Sequence, residues 1–402
     1  MGVKTSTMTI QSPGEAKLTN LRDCFREIGD PKFAALLLVV TCIVAAHSCN
    51  LSLAADFAPS TGCMAGRKAV YARLVRFFCT GIGEELQKGV LRAVLRLALQ
   101  SGRPCCMTMD RTDWKLGDKW NNLLVVGLSF RGYLVPLAWA DLGGRGNSDA
   151  ETRLALLDRL AGWWPRDEVP LKSFPLVADR EFGGEGWLVK LARRGFSFVV
   201  RIKSNRQLSV WKDGKVREKP AKLRAIRRCL AMKGLNVAEV VIAGEHLCSV
   251  ACLPNTGTRD KEPYIYLFTS LDDPGQAGEY YRLRWTIECC FRHLKTNGFD
   301  LEQQGFKHGH QLEIVMAVLT LLYVLCVVGG SLQQDVETLA KGKPAMKKYA
   351  NGKVYRQRSL FRTGLHWLIR RGAVAAECLL NLFNELICCL SVFYETDLFV
   401  VE

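Results

Sequence analysis

The sequence predicts a mixed α/β fold in which a sheet flanked by helices lies between helical N- and C-terminal regions. Short apolar runs bounded by charged or glycine-rich turns are typical of strands, and several of them alternate with amphipathic helical segments. The chain has 402 residues, of which 49% are hydrophobic. It is therefore long enough to bury a sizeable core, and its length is typical of two or three domains.

The first part of the core is predicted from alternating strands and helices. Strands are predicted over 122–130, 133–140 and 196–202, with helices over 153–164 and 186–194. Ser148 and Glu151 have the spacing of a capping box, which predicts the start of the first of these helices.

Two aspartates come where an apolar run stops abruptly. Asp110 ends PCCMTMD and Asp179 ends FPLVAD, and each is followed by a charged or glycine-rich turn. Both segments are interpreted as short, neighbouring central strands, each of which holds a carboxylate at its end. Asp113 is expected beyond the strand end, in the turn, and Glu181 beyond the end of the second strand.

A third carboxylate belongs to a polar stripe on a helix. Tyr281, Arg284, Glu288 and Lys295 form the pattern Y-x2-R-x3-E-x6-K. They project at about 0°, −60°, −20° and −40° around a helix and so share one face. The opposite face carries an apolar stripe of Leu283, Ile287, Cys290 and Leu294. Arg284 and Glu288 alone would be an ordinary i,i+4 ion pair.

Three carboxylates from two strands and a helix can bind two divalent ions about 3.5 to 4 Å apart, an arrangement used for in-line displacement at phosphorus. Oxygen ligands favour hard cations. We therefore expect Mg²⁺ or Mn²⁺ as cofactor, with two ions bound by Asp110, Asp179 and Glu288.

The chain resembles the DDE-type insertion-sequence transposases that carry the YREK signature, often called the IS-four family. The resemblance covers most of the chain, and four segments carry it in order: DRTDW from Asp110, GNSDAE at 146–151, DREF from Asp179, and YRLRWTIECCFRHLK from Tyr281. It implies an RNase-H-like catalytic core in which Asp110, Asp179 and Glu288 are the catalytic, metal-binding triad. The family pattern favours the first Asp of DRTD and of DREF over Asp113 and Glu181.

The same resemblance implies a double-stranded DNA partner, comprising the inverted-repeat ends of a transposon and a target. Tyr281, Arg284 and Lys295 would contact the transposon-end DNA beside the scissile phosphate. Family members nick the transposon end, and some form a hairpin on the flanking strand before strand transfer. Paired ends imply a homodimer in the DNA complex.

The expected organisation has five parts. These are a helical N-terminal DNA-binding region at 1–95, the first part of the core at 96–203, an inserted β subdomain at 204–272, the second part of the core at 273–330, and a basic, helical C-terminal region at 331–402. In the insertion, Asp213-Gly214 between alternating residues predicts a type I′ hairpin, and further strands are predicted over 239–242, 246–253 and 264–270. The last apolar helix, CLLNLFNELICCLSVF, fits either a dimer interface or the core.

Charge indicates a polyanionic partner. The formal net charge is +16, and two tracts concentrate it: 201–228 contains eleven Lys or Arg, and 341–371 contains ten and no acidic residue. Such tracts give affinity for phosphates without sequence preference. The second tract also carries aromatic side chains that could stack on exposed bases, namely Tyr349, Tyr355, Phe361 and Trp367.

Two apolar runs and sixteen cysteines bear on location. The runs, 33–46 and 314–328, are shorter than the roughly twenty residues that span a bilayer, so core helices and no membrane are expected. The cysteines include no C-x2-C pair and lie mostly in apolar runs, which is typical of buried thiols in a reduced protein. We expect a cytoplasmic, bacterial, nucleoid-associated protein.

Three other functions were weighed. A nuclease with the same metal site differs only in its products. A DNA-binding derivative that no longer cuts would be expected to have lost a triad or YREK residue, and all six are present. A two-carboxylate polysaccharide hydrolase explains neither the positive charge nor the cations beside Glu288, which would tend to lower the pKa of a general acid.

Overall fold

The computed structural model describes residues 20–395 apart from 102–104, 131, 167, 218, 256–261, 304, 307–308, 344, 349–351, 353 and 372–374. The outer ends of the first and last expected regions, 1–19 and 396–402, lie outside these residues. Tyr349 of the second basic tract lies outside them as well, and the side chain of Tyr355 is not described.

Five helices form the described N-terminal region, as expected. They are α1 (Leu21–Cys24), α2 (Asp30–Ala46), α3 (Leu51–Asp56), α4 (Arg67–Phe78) and α5 (Gly83–Ser101). Asn20 and Asn50 cap α1 and α3 by accepting hydrogen bonds from backbone N–H groups of the first turn. The apolar run of α2 is buried against the rest of the protein, which confirms that it is a core helix.

Eleven strands form one continuous mixed sheet. They are β1 (Cys106–Leu116), β2 (Lys119–Phe130), β3 (Tyr133–Asp141), β4 (Leu176–Ala178), β5 (Phe198–Ile202), β6 (Gln207–Lys212), β7 (Lys215–Val216), β8 (Ala221–Lys222), β9 (Val237–Ile242), β10 (His246–Pro254) and β11 (Tyr264–Thr269). Their order is β3-β2-β1-β4-β5-β11-β10-β9-β6-β7, and β8 pairs with β6. Only the β1–β4 and β4–β5 pairs are parallel. The predicted mixed α/β class is confirmed.

Two helices connect strands of the core. They are α6 (Ala150–Trp163) and α7 (Glu185–Arg193). The predicted start of α6 is wrong in detail: Asp149, not Ser148, is the N-cap, and its side chain accepts a hydrogen bond from the Thr152 N–H. Ser148 is buried and instead accepts a hydrogen bond from Arg153.

The strands of 204–272 extend the central sheet, because β11 pairs antiparallel with β5 at its edge. The predicted hairpin is present: Asp213 and Gly214 join β6 to β7 with φ of 54° and 78°, as a type I′ turn requires. The segment also contains α8 (Leu223–Ala231), which was not predicted. Whether 204–272 is a separate subdomain stays a prediction.

The predicted YREK helix is two helices, α9 (Ala277–Leu283) and α10 (Trp285–Lys295), with Arg284 between them. The chain then forms α11 (Gly309–Lys341), a small hairpin of β12 (Met346–Lys348) and β13 (Val354–Arg356), α12 (Leu360–Arg370) and α13 (Ala376–Glu395). The apolar side of α10 is buried as predicted, through Ile287, Cys290 and Leu294.

The long helix α11 is the centre of the helical layer. It has 33 residues, so the fifteen-residue apolar run understated its length, and by length and composition alone it could cross a membrane. However, 94% of its most apolar window is buried inside the protein, where it packs on α5, α12 and β3. This burial identifies it as a core helix.

Side chains of the C-terminal helices also belong to the core. Leu379 and Phe383 of α13 are fully buried, and α13 packs on α5 and α2. Phe361 is 2% exposed and stacks on His293, whereas Trp367 packs against Gly329. The interpretation of Phe361 as a base-stacking group is therefore wrong, because it is buried. Trp367 is half-buried, and its stacking on bases stays a prediction.

We predict that Gly364→Ala destabilises the protein, because a Cβ there would lie 1.6 Å from the carbonyl oxygen of Cys326 in α11. Overpacking of this kind typically costs about 1–3 kcal/mol, and a contact with rigid backbone is at the upper end. Thermal unfolding followed by circular dichroism measures the effect.

Gly162→Ala in α6 is the matched control, since no atom lies within 4 Å of its Cβ position. Alanine favours a helix by about 1 kcal/mol over glycine, so this variant should be slightly stabilised. A Gly364→Ala protein that melts with the control would contradict the close contact of α11 with α12.

Candidate active site

The two aspartates are neighbours in the sheet. The parallel pairing of β1 with β4 joins Met107–Met109 to Leu176–Ala178. Asp110 is the next residue of β1, and Asp179 directly follows the end of β4. The neighbouring strands are thus confirmed, but Asp110 is not at a strand end, because β1 continues to Leu116. Asp113, expected in a turn, also lies within β1, opposite Asn122.

Asp179 begins a tight 3-10 turn, Arg180–Phe182, directly after β4. Its carboxylate accepts a hydrogen bond from the Arg180 N–H at 2.7 Å, and the Asp110 carboxylate accepts one from the Arg111 N–H at 2.8 Å. Each carboxylate is therefore oriented by the residue that follows it. Glu181 lies in the turn, as expected.

Residues of the helical polar stripe meet all three carboxylates. Arg284 donates to Asp110 at 3.4 Å and to Glu288 at 2.5 Å, so its guanidinium lies between them. The Tyr281 hydroxyl donates to Asp179 at 3.1 Å. The geometry of the stripe thus brings together the residues that the sequence singled out, although the helix is broken at Arg284.

Lys295, the last residue of the stripe, joins α10 to the far half of β1. Its ammonium donates to the carbonyl oxygen of Asp113 at 2.7 Å, pairs with Glu302 at 3.1 Å and lies 5.1 Å from the ring centre of Trp114. In this conformation it fixes the end of the helix to the strand. Its contact with DNA stays a prediction.

Burial and the neighbouring carboxylates perturb the pKa of Asp110. Burial raises the pKa of Asp110 to about 7, and Asp179 and Glu288 add to that rise, while Arg284 and the Arg111 N–H oppose it. Burial also raises the pKa of Tyr281 to about 12, with Asp179 adding to it. The phenol is therefore protonated near neutral pH and acts as a hydrogen-bond donor.

Arg284 stays charged. Burial lowers its pKa, but Tyr281, Asp179 and Glu288 raise it by more, so that it lies above the ordinary value. Its side chain is 13% exposed. It is thus a permanent cation among three carboxylates.

The donor set fits a divalent ion in chemistry and charge. One guanidinium lies between the Asp110 and Glu288 carboxylates, and Asp179 is a third acidic residue nearby that helps to raise the pKa of Asp110. Carboxylate oxygens are the ligands that Mg²⁺ and Mn²⁺ prefer. Within the described part of the chain, however, no three His, Cys, Asp or Glu side chains are close enough together to form a metal-binding group.

His293 lies outside the site, as its position on the helix predicted. It stacks on Phe361 at 4.5 Å between ring centres, and burial together with Arg292 lowers its pKa to about 4. Because its imidazole is neutral and stacked on Phe361, His293 cannot act on the three carboxylates of the site.

Sequence reasoning missed Arg201 as a part of this site. It was assigned to a phosphate-binding tract, but it is only 8% exposed on β5, pairs with Glu262 at 3.0 Å and lowers the pKa of Tyr281. The order β4-β5 in the sheet brings it there, and no local signal in the sequence reveals that order.

Residues 107–325, more than half of the chain, match the family model described as Transposase DDE domain. The chain belongs to this family. It is a DDE-type DNA transposase. Among solved structures, the transposase is similar to the cryo-EM structure of the piggyBac transposase synaptic complex with hairpin DNA. That match has a TM-score of 0.45 and 11% identity and covers 94% of this chain and 75% of that chain. No curated protein matches the transposase.

We predict that Asp110 makes the stability of the metal-free transposase depend on pH. Its pKa is about 7 in the folded state against an ordinary 3.8, so between these values the folded state holds a proton that the unfolded state has lost. The free energy of unfolding should therefore fall as pH rises through this window, by at most about 4 kcal/mol. Urea unfolding in EDTA at pH 5 and pH 8 samples the upper two pH units of this window, for which a fall of at most about 3 kcal/mol is expected.

Asp110→Asn should reduce the difference between the two pH values by making the transposase more stable at pH 8. Asp118→Asn, at an exposed turn, is the control and should keep the wild-type difference. If Asp110→Asn and Asp118→Asn show the same pH dependence, Asp110 does not titrate near pH 7.

Proposed function

We propose that the transposase binds the terminal inverted repeats of an insertion sequence and catalyses metal-dependent strand cleavage and strand transfer by in-line phosphoryl transfer. Asp110, Asp179 and Glu288 are the proposed catalytic and metal-binding residues. The observation that carries the proposal is the pair of contacts from Arg284 to Asp110 and Glu288, together with the contact from Tyr281 to Asp179.

Assignment to the IS-four family with the YREK signature is the finer part of this proposal. It rests on the spacing of Tyr281, Arg284, Glu288 and Lys295 in the sequence and on the contacts that three of them make with carboxylates of the site or with one another.

The proposed reaction is displacement at phosphorus. A water loses a proton and attacks the scissile phosphate at the transposon end, and the 3′ oxygen leaves as a 3′-hydroxyl. This hydroxyl then loses its proton and attacks a phosphate of the second strand or of the target, and the 3′ oxygen previously bonded to that phosphate leaves as a hydroxyl. Mg²⁺ or Mn²⁺, as two ions held by Asp110, Asp179 and Glu288, would supply activation of the nucleophile and stabilisation of the leaving oxygen.

The protein's own residues orient these groups. Tyr281 keeps its proton and fixes the Asp179 carboxylate by donating to it. Arg284 neutralises Asp110 and Glu288, and its planar fork of N–H groups is suited to phosphate oxygens when DNA is bound. Lys295 holds the end of α10 against β1 and is the third proposed contact to the DNA backbone.

Exposed cations support a DNA partner. Eight of the eleven Lys or Arg in the first tract are exposed, while Arg201, Arg206 and Arg227 are engaged with Glu262, Glu185 and the ring of Tyr264. The described Lys and Arg of the second tract, including those of the β12–β13 hairpin, are exposed too. Both tracts are proposed to contact DNA phosphates, together with the helical region 1–95.

The proposed working unit is a homodimer on paired transposon ends, acting in the cytoplasm at the bacterial nucleoid. The proposed organisation keeps the five ranges given above, with the core at 96–203 and 273–330. A dimer would bring two copies of the carboxylate cluster to two DNA ends.

We predict that Asp110→Ala, Asp179→Ala and Glu288→Ala each abolish Mg²⁺-dependent cleavage without unfolding the protein. The assay incubates purified protein with labelled DNA that carries the inverted repeats flanking its gene, in Mg²⁺, Mn²⁺ or EDTA, and resolves the products on a denaturing gel. Losing a ligand removes the metal, so a loss of at least about a thousandfold is expected.

Asp113→Ala is the matched control, because it removes a nearby carboxylate of the same strand that is not in the cluster. It should retain cleavage. Cleavage that survives a triad change would remove that residue from the site, and binding without cleavage in either metal would indicate a DNA-binding derivative. Nicks without joined products would indicate a nuclease.

Arg284→Met should strengthen the binding of Mn²⁺ and weaken the binding of DNA. Without the guanidinium, the cluster carries more negative charge, so Mn²⁺ should bind at least several-fold more tightly in the absence of DNA, as measured by electron paramagnetic resonance. Binding of transposon-end DNA in Ca²⁺ should weaken. The exposed neighbour Arg282→Met should change Mn²⁺ affinity little, and equal Mn²⁺ affinities of the two variants would count against the role of Arg284.

A further inference from the structure

The ion pair between Arg111 and Glu181 lies directly beside the two aspartates. Arg111 follows Asp110 in β1, and Glu181 is two residues beyond Asp179. The Arg111 Nε lies 3.0 and 2.9 Å from the two carboxylate oxygens of Glu181. Their side chains are 19% and 18% exposed, so the pair is largely withdrawn from water.

Arg111 and Glu181 each contact further polar or charged side chains. Arg111 also donates to Asp113 at 3.1 Å and to Asn147 at 3.2 Å. Glu181 lies 3.8 Å from a second guanidinium, that of Arg153 on α6.

Arg153 is built into the core. It is 5% exposed, donates to Ser148 Oγ at 2.8 Å and to the Ser148 carbonyl oxygen at 2.6 Å, and lies 4.4 Å from the ring centre of Phe182. Glu181 is thus the shared anion of two arginines, one on the strand of Asp110 and one on a helix. The turn that carries Asp179 is fixed to both.

The Arg111–Glu181 ion pair connects β1 to the turn after β4 at the point where the backbone pairing of these two strands ends. The ladder between β1 and β4 covers three residue pairs and ends at Met109 and Ala178. Asp110 and Asp179 are the residues that follow the last register pair on each side. Arg111–Glu181 is the next cross-connection between the two segments, and the two carboxylates repel each other.

We propose that Glu181 is a positioning residue which, through Arg111, sets the separation of the Asp110 and Asp179 carboxylates and thereby their affinity for a divalent ion. The inference rests on the proposed function, because it assumes that these aspartates bind the ion. Groups that orient metal ligands in this way typically change metal affinity by about 10- to 100-fold when they are mutated.

The test measures Mn²⁺ binding to the full-length protein, without DNA, by electron paramagnetic resonance. Glu181→Gln and Arg111→Met should each weaken Mn²⁺ binding by about 10- to 100-fold. The double variant should be no weaker than the worse single variant, because both changes break the same connection. Additive losses would overturn the proposal.

Arg111→Met distinguishes positioning from direct ligation. If Glu181 were itself a metal ligand, removing Arg111 would free its carboxylate, and Mn²⁺ affinity would stay the same or increase. Such a result overturns the proposal. Arg111→Lys keeps the charge but loses the planar guanidinium, so it should also bind Mn²⁺ more weakly than wild type.

A matched control separates positioning from general stability. Asp158 and Arg194 form a similar ion pair, at 3.1 and 3.2 Å, between α6 and α7. Asp158→Asn should leave Mn²⁺ affinity unchanged even if its melting temperature falls. If Glu181→Gln fails to fold, Glu181→Asp is measured instead; it keeps the charge on a shorter side chain and should also weaken Mn²⁺ binding.

The Mn²⁺ measurements distinguish an incorrect positioning role for Glu181 from an incorrect metal site. If the Asp110→Ala variant binds Mn²⁺ with the same affinity as the wild-type protein, the proposed metal site is overturned. Loss of binding in Asp110→Ala, together with unchanged binding in Glu181→Gln and Arg111→Met, would overturn only the positioning role.

Discussion

The candidate active site depends on the pairing of Arg284 with two carboxylates, Asp110 and Glu288, that would otherwise repel each other. Asp110, Asp179 and Glu288 come from two strands and a helix, and burial together with their mutual repulsion raises the pKa of Asp110 to about 7. One guanidinium between Asp110 and Glu288 offsets part of this cost. Because Arg284 is at the junction of α9 and α10, the helix break and the charge balance involve the same residue.

Polar connections extend from this cluster into segments that are far apart in the chain. Lys295 ties α10 to β1, Tyr281 ties α9 to Asp179, and Glu181 joins β1 to the turn after β4 through Arg111. The parallel pairing of β1 with β4 is only three residues long, so side chains rather than backbone hold the geometry beyond it. This explains why charged residues cluster beside the aspartates in DRTD and DREF.

Much of the fold and site could be predicted from local patterns. Apolar runs bounded by turns identified β2 and β3, and local patterns identified most of the strands of 204–272. Helical periodicity identified the side of α10 that is buried and the side that meets the carboxylates. Longer-range features could not be predicted. The continuation of β1 past Asp110 depends on its partner β2, and the place of Arg201 depends on the order of β4 and β5.

Some errors had local causes. Ser148 and Glu151 matched a capping box, but Asp149 competes for the same backbone donors, and Arg153 takes the Ser148 oxygens. Phe361 lies in a basic tract and so was interpreted as part of a DNA surface, although Gly330 and Gly364 let α11 and α12 approach closely enough to bury it. Charge in a sequence describes the exposed side of a helix and gives no information on what its aromatic residues pack against.

Charge balance connects the proposed metal and DNA contacts of the site. Arg284 contributes one positive charge against three carboxylates, so a single divalent ion would bring the cluster to neutrality. Two ions would leave an excess of positive charge, which the scissile phosphate is suited to offset. Once metal ions neutralise Asp110 and Glu288, the Arg284 guanidinium is free to leave them, and its planar N–H donors are suited to phosphate oxygens. The same arginine can therefore stabilise the carboxylates before DNA is bound and contact the DNA backbone afterwards.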